Sequence, residues 1–317
     1  MQQIALIGEC MIELSGTPFG VMQQTFGGDV LNSAVYLARA VRQQMSVHFV
    51  SAMGVDSLSE GMINRWQQEG INTQLVLRDE LHQPGLYMIQ LDARGERSFL
   101  YWRKDSAARW LLQHPEFSRI AHALQAVDVI YVSGISLAIL PAADRLSLMS
   151  LLEMLAEQGK LIIFDSNYRP ALWDSAEQTR HCYQRLLAVT SLALVTDDDE
   201  QRLWGDGNIA ATLRRLQQAG VKKAVVKAGA QGCWWQDFTQ PAAPLLIPTQ
   251  PVANVVDTTS AGDAFNAGFL AGFLSGHGGE QAAKMGHQLA GVVIQHKGAI
   301  VPREATQTVT DSFSIYA

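Results

Sequence analysis

The sequence predicts an α/β protein built on one large, mostly parallel β-sheet, with a small separate β-sheet attached to it. Three observations carry this expectation. Short β-rich runs alternate with longer segments of helical period along much of the chain, which is the pattern of βαβ units. Two stretches in the first third, residues 13–26 and 85–103, have strand composition with no helix between their halves. The 317 residues, 48% of them hydrophobic, exceed one average domain yet offer no linker or repeat at which to divide the chain.

Residues 4–8 read as a first buried strand. Val30, Leu31, Ala34, Val35, Ala38 and Val41 then fall on one stripe of a helix, with Asp29 as the expected cap. Residues 47–52, 127–133, 160–165, 192–196 and 224–227 are further strands, each bounded by a helical segment or a turn. In a sheet of this kind, ligand chemistry gathers at the C-terminal strand ends. The two exceptional stretches are hairpins, the second formed by residues 86–91 and 98–102 around the polar turn Asp92-Ala93-Arg94-Gly95. Because they lie apart in the chain, they predict a discontinuous flap, residues 10–26 and 84–104, inserted into a single body spanning residues 1–317. Residues 304–317, rich in Thr and Ser, read as a peripheral tail.

Composition narrows the function classes. This much apolar content excludes a disordered chain, and a formal charge of -6 argues against a nucleic-acid partner, which needs a clustered basic surface. No apolar run approaches the roughly 20 residues that cross a bilayer, and the first basic residue is Arg39, so no membrane association and a cytoplasmic location are expected. Cys10, Cys182 and Cys233 are far apart, odd in number and without C-x-x-C spacing, so they are expected to be reduced and packed. The chain lacks the P-loop, the G-x-G-x-x-G fingerprint and the protein-kinase H-R-D triplet. Its histidines show no metal spacing, and His277, His287 and His296 read as surface or core residues.

Five segments can carry chemistry. Asp257-Thr258-Thr259-Ser260-Ala261-Gly262-Asp263 leads directly into a helical run. Small residues at a helix entrance leave backbone N–H groups uncovered, and with the helix dipole these can hold phosphate oxygens. Asp263, in the first turn, can then accept the proton of an attacking hydroxyl. The other reading of the same segment is a plain capped helix with a packing face at Gly268 and Gly272. Gly27-Gly28-Asp29-Val30-Leu31-Asn32 puts paired glycines before a helix, where a ligand can approach the backbone. Asp165-Ser166-Asn167-Tyr168-Arg169-Pro170 leaves a strand at the ligand edge, or is a solvated loop. Asp197 to Glu200 form either a hard-oxygen cluster suited to Mg²⁺ or the acidic first turn of a helix. Lys227-Ala228-Gly229-Ala230-Gln231-Gly232 is a nucleotide-facing turn or a simple β-turn.

Taken together, Gly27-Gly28 near the start and Asp257-Thr258-Thr259-Ser260-Ala261-Gly262-Asp263 late in the chain resemble the two signatures of the ribokinase-like (PfkB) sugar kinases. Pro84-Gly85-Leu86-Tyr87, Tyr101-Trp102-Arg103-Lys104, Ser133-Gly134-Ile135-Ser136 and Asn167-Tyr168-Arg169-Pro170 resemble the members of that family that act on 2-keto-3-deoxy-D-gluconate. The resemblance implies a ribokinase-like three-layer α/β/α core with a β-sheet lid, and ATP-dependent phosphorylation of that sugar acid at its 6-hydroxyl. Asp263 is then the base, with Ala261 and Gly262 in the anion hole. It implies sugar-acid contacts from Gly28, Asp29, Val30, Leu31, Asn32, Tyr87, Tyr101, Trp102, Arg103 and Arg169. Nucleotide contacts are implied from Asn167, Tyr168, Arg169, Lys227, Ala228, Gly229, Ala230, Gln231, Gly232 and Ser260 to Asp263. Mg²⁺ is implied near Glu200 through water, a monovalent cation is admitted, and exposed lid edges suit a homodimer. A carboxylated substrate explains two arginines, since Arg103 and Arg169 can bind it with charge-assisted bonds a neutral sugar would not need. Three positions depart from the family pattern: Asp197 stands in place of an Asn, Ser260 in place of Gly or Ala, and Lys297-Gly298-Ala299 lacks an acid found in some relatives. A fructokinase or other sugar kinase of the family is the alternative, and a catalytically silent sugar-acid sensor a more distant one.

Overall fold

The structure is a computed structural model that describes residues 1–91 and 97–313. Among these residues thirteen strands fall in two sheets. The chain runs β1 (Gln2–Ile7), β2 (Met11–Gly16), β3 (Met22–Gly27), β4 (Met45–Gly54), β5 (Val76–Asp79), β6 (Leu86–Leu91), β7 (Arg97–Trp102), β8 (Val129–Ser133), β9 (Leu161–Asp165), β10 (Leu192–Thr196), β11 (Lys223–Lys227), β12 (Cys233–Asp237) and β13 (Leu245–Ile247). Nine strands form the large sheet, in the order β13-β12-β11-β10-β9-β8-β1-β4-β5, parallel from β11 to β5, with β12 and β13 antiparallel at one edge. The predicted strands are all present; β5, β12 and β13 are additions at the two edges.

The parallel strands are buried on both faces, so they read as continuous apolar runs. In β1, Ile4 and Leu6 face one core while Ala5 and Ile7 face the other. The first core is closed by the helices Asp29–Val41, Ala261–Leu274 and Gly279–Val293, the second by Ala142–Glu157 and Ala176–Leu187. This gives three layers. All three cysteines are buried and free. Among the described residues no helix is long and apolar enough to cross a membrane.

The two hairpins combine into a second sheet of order β3-β2-β6-β7, joined by parallel pairing of β2 with β6. Their expected turn at residues 92–95 lies outside the described residues. Two local expectations change. The cap of helix Asp29–Val41 is Gly28, without a side-chain bond, and Asp29 is the first helical residue, its carboxylate drawn instead to Asn167. The expected tail contains a helix, Arg303–Phe313, in which Thr306, Thr310 and Phe313 are buried. Tertiary packing overrides the weak helix propensity of its Thr and Ser.

Candidate active site

The small sheet follows the C-terminal ends of β1 and β5, so it stands over the edge to which the parallel strands deliver their loops. Between the two sheets lies a cavity of about 1050 Å³. Tyr87, Phe99, Tyr101 and Arg103 wall it on the small-sheet side, and Phe265, His287, Gly291 and Ile294 wall it toward the β12–β13 edge.

Asp263 lies between these ends. Ser260 takes the left-handed region, φ 64°, and turns the chain into helix Ala261–Leu274 without any side chain capping it. Ala261 N donates to Thr258 and Ala264 N to Ser260, which leaves the N–H groups of Gly262 and Asp263 without a backbone partner. Lys227 Nζ is the one neighbour near Gly262, 3.8 Å from where a Cβ would stand. Two N–H groups without a backbone partner and an ammonium group thus lie at one helix start, a set of donors of the kind that can hold phosphate oxygens. The same helix also has the packing face that the sequence left as an alternative. A Cβ on Gly268 would lie 2.7 Å from the Met285 carbonyl, and one on Gly286 2.8 Å from that of Phe265. Glycines there let the helices close up and fix the Asp263 end.

Asp263 Oδ2 accepts hydrogen bonds from Asn32 Nδ2 and Ser260 Oγ, both at 2.9 Å. Burial pushes its carboxyl up to about 7, the carboxylates of Asp29 and Asp165 add to the rise, and the Asn32 and Ser260 bonds oppose it. A carboxylate titrating near neutrality is suited to take a proton from a hydroxyl. Asp29 is also raised, chiefly by burial, and accepts from Asn167 Nδ2 at 2.7 Å. Near Gly262, Lys227 Nζ donates to Asn266 Oδ1 at 3.1 Å and pairs with Asp165 at 3.4 Å, while Asn266 Nδ2 donates to Asp165 Oδ2 at 2.9 Å. On the small-sheet side, Tyr87 donates to Glu13, Arg103 to Glu9, and burial raises both Tyr87 and Tyr101. Arg169 pairs with Asp199 at 3.4 Å.

Over residues 1–306 the chain matches the family described as pfkB family carbohydrate kinase. The chain belongs to this family. It is 54% identical over 315 residues to the 2-dehydro-3-deoxygluconokinase of Haemophilus influenzae, covering 99% of this chain and 100% of that protein. It is 46% identical over 305 residues to the enzyme of the same name from Escherichia coli K12, covering 96% and 98%. Among solved structures, the fructokinase with bound ATP from Xylella fastidiosa superposes with a TM-score of 0.81 at 21% identity, covering 99% and 98% of the two chains.

The pfkB resemblance singled out residues that the fold largely brings together. Gly28, Asp29, Asn32, Tyr87, Tyr101, Arg103, Asn167, Arg169, Lys227, Gly229, Ala230, Gly232 and Ser260 to Asp263 all line the cavity. Others do not. Val30 and Leu31 belong to the first core and Tyr168 to the second. Trp102 is more than half exposed and alternates with Tyr101 along β7, so it faces away from the cavity. Ala228 and Gln231 close a tight turn through the Gln231 N to Ala228 O bond and are not part of the wall. Glu200 is buried, raised by that burial, and engaged by Arg215, so it turns away from the cavity while Asp199, one helical step earlier, lines it. The acidic run is thus the first turn of helix Asp197–Trp204, and among the described residues no three His, Cys, Asp or Glu side chains group there as a metal site.

Sequence reasoning gives no role to Glu9 or Phe99, names Asp165 and Asp199 only within segments that could carry chemistry, and reads His287 as a surface or core residue; all five line the cavity. His287 Nε2 donates to the Ile247 carbonyl at 3.1 Å and its ring meets Phe265 edge-on at 5.0 Å, so it is a wall residue, not simply core or surface. For Glu9 a signal existed. It follows β1, beside which the sheet order reverses, where doubly wound sheets bind ligands.

Proposed function

We propose that this chain transfers the γ-phosphoryl group of ATP to the 6-hydroxyl of 2-keto-3-deoxy-D-gluconate. The supporting observation is the position of Asp263, at an uncapped helix start between a small-sheet wall bearing Arg103 and the apolar wall around Phe265 and Ile294. The identity of 54% to a 2-dehydro-3-deoxygluconokinase narrows the substrate. The sugar acid lies under the small sheet, its carboxylate at Arg103 and Arg169 and its ring or chain against Tyr87 and Tyr101. The nucleotide occupies the other side, its phosphates at Gly262, Asp263 and Lys227.

As the 6-hydroxyl oxygen attacks the γ-phosphorus, its proton passes to the Asp263 carboxylate, the bond to the β-phosphate oxygen breaks, and ADP leaves. The N–H groups of Gly262 and Asp263 and the Lys227 ammonium hold the equatorial oxygens. Among the described residues no three His, Cys, Asp or Glu side chains form a metal cage. Asp165 and Asp199 line the cavity and would meet, through water, a Mg²⁺ that arrives with the nucleotide and keeps most of its waters, whereas Glu200 is not part of the cavity wall. Bound Mg²⁺ supplies charge neutralisation of the phosphates.

The small sheet acts as a discontinuous lid that excludes water, which would otherwise take the phosphoryl group. Two copies pair through the exposed β7 side of this lid, where Leu100 and Trp102 are solvent-facing. Purified protein with ATP, Mg²⁺ and a sugar panel tests the function. Highest kcat/KM on 2-keto-3-deoxy-D-gluconate is expected, and preference for fructose or ribose would sink the specificity while leaving a family kinase.

A further inference from the structure

Each cationic side chain of the cavity wall is already paired with a carboxylate. Lys227 lies beside Asp165 and Arg169 beside Asp199, each at 3.4 Å, and Arg103 meets Glu9. The third pair is the most enclosed, with the Arg103 side chain 10% and that of Glu9 2% exposed. Glu9 sits in the crossing from β1 to β2, packed between two glycines. A Cβ on Gly28 would lie 2.2 Å from the Glu9 carbonyl oxygen, and one on Gly85 3.0 Å from Glu9 Oε1. Only Oε2 takes an Arg103 bond, through Nη2; Glu9 Oε1 and Arg103 Nε are buried without a hydrogen-bond partner among the described residues. The pair is therefore joined at one point and not as a fork, and Arg103 keeps donors for a second carboxylate.

We propose that Glu9 is a positioning residue: it holds the Arg103 guanidinium in the cavity wall so that its remaining N–H groups meet the substrate carboxylate, and it thereby sets the preference for a sugar acid over a neutral sugar. This role rests on the functional reading above. A long flexible side chain fixed before the substrate arrives loses less entropy on binding. Glu9 also keeps a buried guanidinium from standing uncompensated in the empty protein. Its backbone, wedged against Gly28, gives the carboxylate an immobile base that neither Asp199 nor Asp165 needs to supply.

Steady-state kinetics of the full chain with Glu9→Ala, Glu9→Gln, Arg103→Ala and the Glu9→Ala/Arg103→Ala double variant test the role. Glu9→Ala should raise KM for 2-keto-3-deoxy-D-gluconate by about tenfold to a hundredfold, as loss of one charge-assisted bond implies, with KM for ATP changed by less than about twofold. Glu9→Gln keeps an oxygen acceptor for Nη2 and should recover part of that loss. The double variant should bind no worse than Arg103→Ala alone, because Glu9 acts through Arg103. An unchanged or lowered KM in Glu9→Ala, or an additive cycle, overturns the assignment. Should Glu9→Ala fail to fold, Glu9→Gln decides: a raised KM supports the role and an unchanged one overturns it. An unaltered protein that favours neutral sugars overturns the functional reading and this role together, whereas preference for the acid with an additive cycle overturns the Glu9 role alone.

Discussion

Replacing Asp263 by Asn moves activity and stability in opposite directions. The amide keeps an oxygen where Oδ2 accepts from Asn32 and Ser260, but it cannot take up a proton. Turnover should fall by about 10²-fold or more, the loss expected for a general base. For stability, the folded carboxyl titrates at about 7 against an ordinary 3.8, so between those values the folded protein holds a proton that the unfolded chain has released. The associated stability is complete below the unfolded value, declines as pH rises toward about 7, and stays low above it. A rise of about three pH units at about 1.4 kcal/mol each gives about 4 kcal/mol for a fully dry carboxyl. The side chain is only part-buried, and cavity water screens it, so about 2 kcal/mol is expected. Urea unfolding of both proteins at about pH 5 and about pH 8, with kcat measured alongside, reads both effects. The Asn variant should be the more stable at the higher pH, with a smaller advantage at the lower. Equal or lower stability of the variant at the higher pH refutes the origin given for the raised carboxyl, and retained turnover removes Asp263 as the base.

Asp29→Asn takes away one of the negative charges that raise Asp263, so the half-maximal point of the acid limb of kcat/KM should move below its unaltered position near 7; a limb that stays or moves upward contradicts the coupling. Gly28→Ala puts a Cβ where the Glu9 carbonyl oxygen is only 2.2 Å away. Overpacking of that kind should cost about 1–3 kcal/mol, and an unshifted urea midpoint would show that the crossing has room to give. Sedimentation should report a dimer that Trp102→Lys weakens; a monomer at all concentrations removes pairing through the lid.

The parts legible in the sequence are those whose signal is local. Residues 192–196 announce β10 by their apolar run between turns, and Asp257 to Asp263 announce the uncapped helix start because the small residues and the acid are contiguous. Asn32, which lines the cavity, is legible because it shares a segment with Gly28. The polar network beside the start of helix Ala261–Leu274 is not legible as a unit. Lys227, Asp165 and Asn266 lie on β11, on β9 and in a helix, brought within hydrogen-bond reach only by the order of the sheet and the packing of that helix. Glu200 misled for a related reason. Its partner Arg215 lies 15 residues downstream in the next helix, and no pattern within the acidic run shows that the carboxylate is already engaged. Trp102 shows the limit of carrying over a contiguous motif, since neighbouring residues of a strand face opposite sides.

The pairing of β2 with β6 has a consequence for how the chain assembles. These strands are partners in the small sheet, yet Glu13 and Tyr87, which meet across it, are 74 residues apart. Each hairpin can form from nearby residues, but joining them closes a long loop whose entropy must be lost before the contact gives anything back. The small sheet should therefore complete late in folding and open early under denaturant, ahead of the nine-stranded body. Amide exchange would then protect β1 and β8 more than β2 and β6, and the least persistent region of the native protein would be the one that walls the cavity with Tyr87, Tyr101 and Arg103.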